Sequence, residues 1–261
     1  MITDPFFYLV AIPAVLLTGI SKGGFGSALG GVAVPLMALA ISPQQGAAIM
    51  LPVLCLMDVV GMRVYFRQWD TRILKALIPG ALIGIALGTL SFGALDEHRV
   101  RFLLGLISVG FVLLKLVLTK LAERQQGASA EAVDPTKAPS AASGLLFSAL
   151  AGFTSFVAHA GGPPITMYLL TQGLPVVRYV ATINVFFLMA NAVKLIPYAM
   201  LGQFSSTNLL ASLSLAPLVP IGVWTGLWLQ NRINTVWFFR IAQTGLLLTG
   251  VFLMVQGLQG G

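Results

Sequence analysis

Long runs of apolar residues, separated by short polar stretches, make up most of the chain. A helix needs about 20 apolar residues, with a range of roughly 17–25, to cross a bilayer. Ten apolar segments are present, and those that reach this length are 45–66, 73–93, 100–121, 177–201, 208–230 and 237–257. The pattern predicts an all-α, polytopic membrane helical bundle, because a membrane β-barrel would show short segments of alternating polarity.

The shorter apolar segments form two pairs, and glycine interrupts each pair. Segments 6–20 and 27–41 flank the first interruption, and segments 143–158 and 164–172 flank the second. Each interrupted pair is followed by three segments of full length. The sequence therefore predicts two internal repeats, each with a glycine-broken helix pair and three full spans.

A polar stretch rich in Ala, Ser and Pro separates the two halves, which typifies a linker. The predicted organisation is a first transmembrane repeat at 1–121, a linker at 122–142 and a second repeat at 143–261. A ladder of small residues supports the duplication, since this spacing lets membrane helices approach closely. Its members are Gly80, Gly84 and Gly88 in the first half, and Gly222 and Gly226 in the second.

The basic residues predict the orientation of the repeats. Loop 63–75 holds four of them and linker 122–142 holds two more, so both are expected to be cytoplasmic. Loop 202–207 carries no charge and is expected outside. Each half then makes an odd number of crossings, so the halves are inverted relative to each other and both termini lie outside.

Composition narrows the class further. The chain is 57% apolar and 9% charged, whereas soluble domains are nearer ~45–50% apolar and ~25% charged. The net charge of +7 does not indicate nucleic-acid binding, because the basic residues lie in short loops between apolar runs. The partners expected are the lipid bilayer and a small anion. The glycine ladders leave open whether they pack helices within one chain or form a homo-oligomer.

The two glycine breaks are the first candidate binding site. Unwound backbone cannot face lipid, so it must line a polar cavity or lie inside the protein. Both breaks are expected to be helix N-termini, whose free N–H groups and positive dipole end attract anions. The expected contacts are Gly23, Gly24 and Phe25 in the first break, and Gly161 and Gly162 in the second. The alternative is that these glycines only allow tight hairpin turns.

Two ionisable residues accompany the breaks. Lys22 lies in the first break, and a buried lysine is costly unless it faces a cavity or a counter-charge. It is expected to attract the anion, although it could also extend to the membrane surface. His159 lies beside the second break, where it can donate to an oxyanion or carry a proton, or simply pack between helices.

A polar face is expected on segment 177–201. Asn184, Asn191 and Lys194 are spaced by seven and three residues and therefore share one side of a helix. They line the path of the substrate or join helices by hydrogen bonds. Asp58 is the one acidic residue well inside a span, and its expected role is an ion pair with Arg63 or Lys22, or proton transfer.

Enzyme motifs are not found: the sequence has no His-Glu-x-x-His, Gly-x-Ser-x-Gly or P-loop pattern. We therefore expect a protein that is not an enzyme and that has neither a cofactor nor a metal centre. The single cysteine, Cys55, cannot form an internal disulfide.

Two motifs resemble those of the TauE/SafE family of membrane proteins, the sulfite exporter family. The first is Gly19-Ile-Ser-Lys-Gly-Gly-Phe-Gly26 followed by Val34-Pro-Leu-Met37, and the second is Gly152-Phe-Thr-Ser-Phe-Val-Ala-His-Ala-Gly-Gly-Pro-Pro-Ile165. The resemblance covers nearly the whole chain. It implies export of sulfite or a related organosulfur anion across the bacterial inner membrane.

The residues and the resemblance thus lead to one hypothesis, a transporter that exports a small anion. The alternatives are a transporter, possibly for uptake, of another small anion or organic acid, and a membrane scaffold without transport activity. Substrate, direction and coupling to protons are not determined by the sequence.

Overall fold

The computed structural model describes residues 2, 4–24, 30–126, 141–229, 232 and 235–259. Throughout this part of the chain the regular elements are helices. They are α1 (Pro5–Gly24), a short 3₁₀ helix (Gly30–Val32), α2 (Ala33–Met37), α3 (Pro43–Val64), α4 (Thr71–Ala94), α5 (Glu97–Gln126), α6 (Ala141–Ala158), α7 (Gly162–Leu170), α8 (Val176–Met200), α9 (Ser206–Leu215), α10 (Leu218–Leu229) and α11 (Thr235–Gln259).

Five helical segments of the described chain are long and apolar enough to cross a membrane. They are Pro5–Gly24, Pro43–Val64, Thr71–Ser91, Val176–Met200 and Ser206–Leu229. The predicted class, an all-α membrane protein, is confirmed. The last of these segments is interrupted between α9 and α10, where Pro217 has no N–H to continue the helix.

The expectation that segment 6–20 is too short to span was wrong. α1 has 20 residues and continues through Gly19 and Gly23. These glycines lie within α1, and their role is to let another helix approach closely. A Cβ on Gly19 would lie 3.0 Å from the Cα of Gly222, and one on Gly23 would overlap the carbonyl of Val223. The first broken pair is therefore a full span followed by the short α2.

Polar residues at the loop ends fix where three helices begin. Ser42 accepts a hydrogen bond from the backbone N–H of Gln45 at the start of α3. Asp70 accepts one from Ile73 at the start of α4. Such N-caps satisfy backbone donors that a helix leaves free at its first turn. Ser205 caps α9 in the same way.

α6 and α7 form a helical hairpin. A Cβ on Gly144, in the first turns of α6, would lie 3.0 Å from the hydroxyl of Tyr168 near the end of α7. The rings of Phe147 and Tyr168 are also close, with centroids 6.4 Å apart. These contacts place the end of α7 beside the start of α6.

The glycine ladders pack helices against each other within the chain. A Cβ on Gly84 of α4 would overlap the carbonyl oxygen of Ala149 in α6, and one on Gly226 of α10 would overlap that of Ile20 in α1. Gly105 of α5 meets the backbone of Gly250 in α11 in the same way. Each of these pairs joins one half of the chain to the other. α3 and α8 are also in contact. They carry Asp58, Asn191 and Lys194, which belong to the site described next.

Candidate functional site

Four buried ionisable side chains lie together where α1, α3, α6 and α8 meet. They are Lys22, Asp58, His159 and Lys194, with exposed fractions of 5%, 0%, 5% and 0%. Among the side chains that the structure describes, no other lysine, arginine, histidine, aspartate or glutamate is buried. We refer to these four residues, together with Ser155 and Asn191, as the lysine cluster. Placing charges in an apolar interior is expensive, so such a concentration requires partners or a function.

The first part of the lysine cluster is an ion pair. Lys22 is in the last turn of α1, and its ammonium binds Asp58 of α3 directly. The second carboxylate oxygen of Asp58 accepts a hydrogen bond of 2.6 Å from Nδ2 of Asn191 on α8. The Lys22 ammonium also lies 5.5 Å from the ring centroid of Phe187. Of the two partners predicted for Asp58, the structure therefore shows Lys22.

The second part of the lysine cluster surrounds Lys194. Its ammonium donates to the Ser155 carbonyl at 2.9 Å and to the Ser155 hydroxyl at 3.0 Å. It also lies 2.9 Å from Nδ1 of His159. These contacts engage all three N–H groups of the ammonium, and every acceptor is uncharged when the histidine is neutral. Lys194 thus has hydrogen-bond partners but, among the described residues, no carboxylate within ion-pair distance.

The hydrogen bonds of His159 indicate its protonation state. Nε2 lies 2.9 Å from the carbonyl oxygen of Ala47, which can only accept. Nδ1 faces the ammonium of Lys194, which can only donate. Nδ1 also lies 3.1 Å from the carbonyl oxygen of Ser155, which already accepts from Lys194. A neutral ring that carries its hydrogen on Nε2 satisfies the contacts with Ala47 and Lys194 together. His159 therefore adds no charge to the lysine cluster.

His159 also marks the second helix break. Its φ of +52° lies in the left-handed region, which residues other than glycine seldom adopt. Its backbone N–H donates to the carbonyl of Ser155, and the backbone N–H of Ala160 donates to the carbonyl of Thr154. α6 ends at this turn. The strain is offset by the side-chain contacts of His159 with Ala47 and Lys194, which this backbone conformation orients.

The predicted helix N-terminus is observed at the second break but not at the first glycines. α7 begins at Gly162 with Gly161 as its N-cap residue, and prolines occupy its first turn. Gly23 and Gly24 instead lie in the last turn of α1, where backbone N–H groups bond carbonyls within the helix. The expectation that they offer free N–H groups was wrong. Phe25 lies outside the described residues.

A small cavity connects the two parts of the lysine cluster. Its lining residues are Lys22, Leu54, Ser155, His159, Gly162, Phe187 and Asn191. The volume that the centre of a water molecule can occupy is about 10 Å³. The cavity therefore holds about one water molecule. A sulfur oxyanion is larger than water, so this conformation of the chain is closed around the cluster. Within the cavity wall, the buried Oδ1 of Asn191 has no hydrogen-bond partner.

The structure does not bring every predicted residue to this cavity. Asn184 is buried two turns from Asn191 and packs over Gly61, whose Cβ would lie 3.1 Å from Nδ2 of Asn184. Arg63 is exposed at the end of α3, so the alternative pairing of Asp58 with Arg63 was wrong. Sequence reasoning missed Ser155 and Phe187. Ser155 lies within the second glycine motif, but serine is common in membrane helices and gave no signal of its own.

The charges of the lysine cluster do not balance when its lysines and its aspartate are ionised. Two ammonium groups face one carboxylate and a neutral imidazole, which leaves one positive charge in excess. Among the described residues, no group of three or more histidine, cysteine, aspartate or glutamate side chains could hold a metal ion.

Comparisons with known proteins give one match. The sequence pattern of the family described as Sulfite exporter TauE/SafE matches residues 11–253, which is nearly the whole chain. A search of curated proteins and a search of solved structures gave no match.

Proposed function

Since the chain belongs to the sulfite exporter TauE/SafE family, we propose that it exports sulfite or a related small organosulfur anion across the bacterial inner membrane. The family is one of membrane transporters for sulfite and related anions, and it is not an enzyme family. The anion is proposed to bind at the lysine cluster. Gly161 and Gly162, at the N-terminus of α7, are proposed to add backbone N–H donors.

One observation carries the proposal: the lysine cluster holds one more positive charge than negative charge in an apolar surrounding. Lys194 is completely buried and has only neutral acceptors. An uncompensated buried charge is unfavourable, and a bound anion removes that cost. The site is therefore suited to an anion and would repel a cation.

Transport requires the cavity to open, because it now accommodates only about one water molecule. The junction of α6 and α7 is a suitable place for such a change. Transporters commonly place substrate between broken helices and move the surrounding bundles around it. Gly161 allows α7 to approach α6 closely, since a Cβ there would lie 2.8 Å from that of Ser155.

The test is flux of sulfite into proteoliposomes, with sulfate and taurine as comparison anions. Lys22→Ala is expected to reduce sulfite flux at least tenfold, because it removes a cavity-lining cation and leaves the Asp58 carboxylate facing the anion. Lys75→Ala is the matched control, since Lys75 is exposed in the first turns of α4. Unchanged flux in Lys22→Ala would show that this lysine does not bind the anion.

A second candidate is transport, including uptake, of another organic anion. Leu54 and Phe187 give part of the cavity an apolar wall, which favours an anion with a carbon skeleton. Competition of organic acids against sulfite, with flux measured in both directions, separates the two.

A further inference from the structure

We propose that Asp58 sets the valence of the transported anion, so that the lysine cluster accepts monovalent anions and rejects divalent ones. This proposal rests on the proposed function and specifies its substrate class. The monovalent class includes hydrogen sulfite and sulfonates, and the rejected class includes sulfate. The argument depends on the charges that surround the cavity, on the contact of Asp58 with Asn191, and on where these two residues lie in the chain.

The charge inventory is short. In their ionised forms, Lys22 and Lys194 each contribute one positive charge, and Asp58 contributes one negative charge. His159 is assigned the neutral form, in which its Nδ1 accepts from Lys194 and its Nε2 donates to the carbonyl of Ala47. Among the described residues no further charged side chain is buried. A monovalent anion therefore makes the occupied cluster neutral, whereas a divalent anion leaves it with a net negative charge in an apolar interior.

Asp58 is the residue on which this balance depends. It is the only buried carboxylate in the described part of the chain, and it holds Lys22 directly. Without its charge, the cluster would carry two uncompensated positive charges and would suit a divalent anion. Specificity of this kind arises from the penalty against the wrong ligand as much as from contacts with the right one.

Exchanging Asp58 and Asn191 would move the negative charge from α3 to α8 with little change in side-chain volume. Its Nδ2 hydrogen-bonds Oδ2 of Asp58 at 2.6 Å, so the two side chains lie side by side. In the predicted repeat they occupy corresponding places, because the interval from Asp58 to Asn191 equals that from Gly19 to Gly152 in the two glycine motifs. One half thus carries a carboxylate where the other carries the amide of the same size. Exchanging them keeps both the charge count and the volume.

The experiment measures flux of methanesulfonate and of sulfate, which have fixed charges of one and two, in proteoliposomes. For Asp58→Asn, the ratio of sulfate to methanesulfonate flux is expected to rise at least tenfold. For Asn191→Asp, flux of both anions is expected to fall at least tenfold, because two carboxylates then balance two lysines. The double exchange, Asp58→Asn with Asn191→Asp, is expected to return the wild-type ratio.

Asp96→Asn is the matched control, because it makes the same chemical change at an exposed aspartate. An unchanged flux ratio in Asp58→Asn, with wild-type flux intact, overturns the valence proposal alone. A double variant whose flux ratio equals that of Asp58→Asn also overturns it. The position of the carboxylate, and not the number of charges, would then determine the flux ratio. Wild-type protein that carries neither these anions nor sulfite overturns the proposed function, and the valence proposal with it.

Discussion

Replacing Lys22 by methionine is expected to destabilise the protein by about 3–5 kcal/mol, the cost of removing one partner of a buried ion pair. The reason is that Asp58 is completely buried and would keep its carboxylate without a cation. Asn191 would remain as its one hydrogen-bond donor among the described residues, through Nδ2. Methionine approximates the length of lysine, so loss of packing contributes little. The measurement is the free energy of unfolding in detergent micelles.

Adding Asp58→Asn to Lys22→Met is expected to recover most of that stability. A neutral pair of similar volume is commonly as stable as the buried ion pair that it replaces. Flux is not expected to return, because Lys22 is the lysine that lines the cavity and the double variant lacks it. A single variant as stable as wild type, or a double variant no better than the single one, would contradict the pairing.

The polar residues of the lysine cluster could be selected from the sequence because each interrupts a run that is otherwise apolar. Lys22, Asp58, Asn191 and Lys194 stand out for this reason alone, since a membrane helix carries such side chains only at a cost. Helical spacing also placed Asn191 and Lys194 on one face, and both are buried at the site. Periodicity did not predict which helices face each other, so the partner of Asp58 remained open.

The glycines show where sequence reasoning failed. A glycine can end a helix or allow another helix to approach it, and the local sequence is the same in both cases. Gly23 and Gly24 were expected to form a break that begins a helix, whereas both belong to α1, which ends at Gly24, and α10 packs against Gly23. Gly161 was expected to precede a helix, and it does, because the following prolines are favoured in the first turn of a helix. The residues that follow the glycines, and not the glycines themselves, therefore indicate whether a helix begins there.

Helix pairing gives further support to the predicted inverted repeat. α1 of the first half packs on α10 of the second, and α6 of the second half packs on α4 of the first. The pairs α3 with α8 and α5 with α11 join elements at corresponding places in the two halves. A pseudo-two-fold axis between the halves would produce this exchange. The repeat remains a prediction. Because the glycine faces of each half pack against helices of the other half, neither half buries these faces alone.

Gly84→Ala is expected to cost about 1–3 kcal/mol, the range for forcing an extra methyl group into a packed interface. A Cβ at Gly84 would overlap the carbonyl oxygen of Ala149, which belongs to the backbone of α6 and cannot rotate away. Helix α4 would have to move from α6, and Gly80 and Gly88 would lose their own close contacts with that helix. The effect is measured as the change in the free energy of unfolding in detergent.

Gly110→Ala is the matched control, because Gly110 also lies within a helix but has no neighbouring atom within 4 Å of the place that a Cβ would occupy. This substitution is expected to stabilise the protein by about 0.5–1 kcal/mol, since alanine loses less conformational freedom than glycine in a helix. The two substitutions are chemically identical, so opposite signs isolate the effect of packing. Equal effects would mean that α4 and α6 are not in the close contact that Gly84 permits.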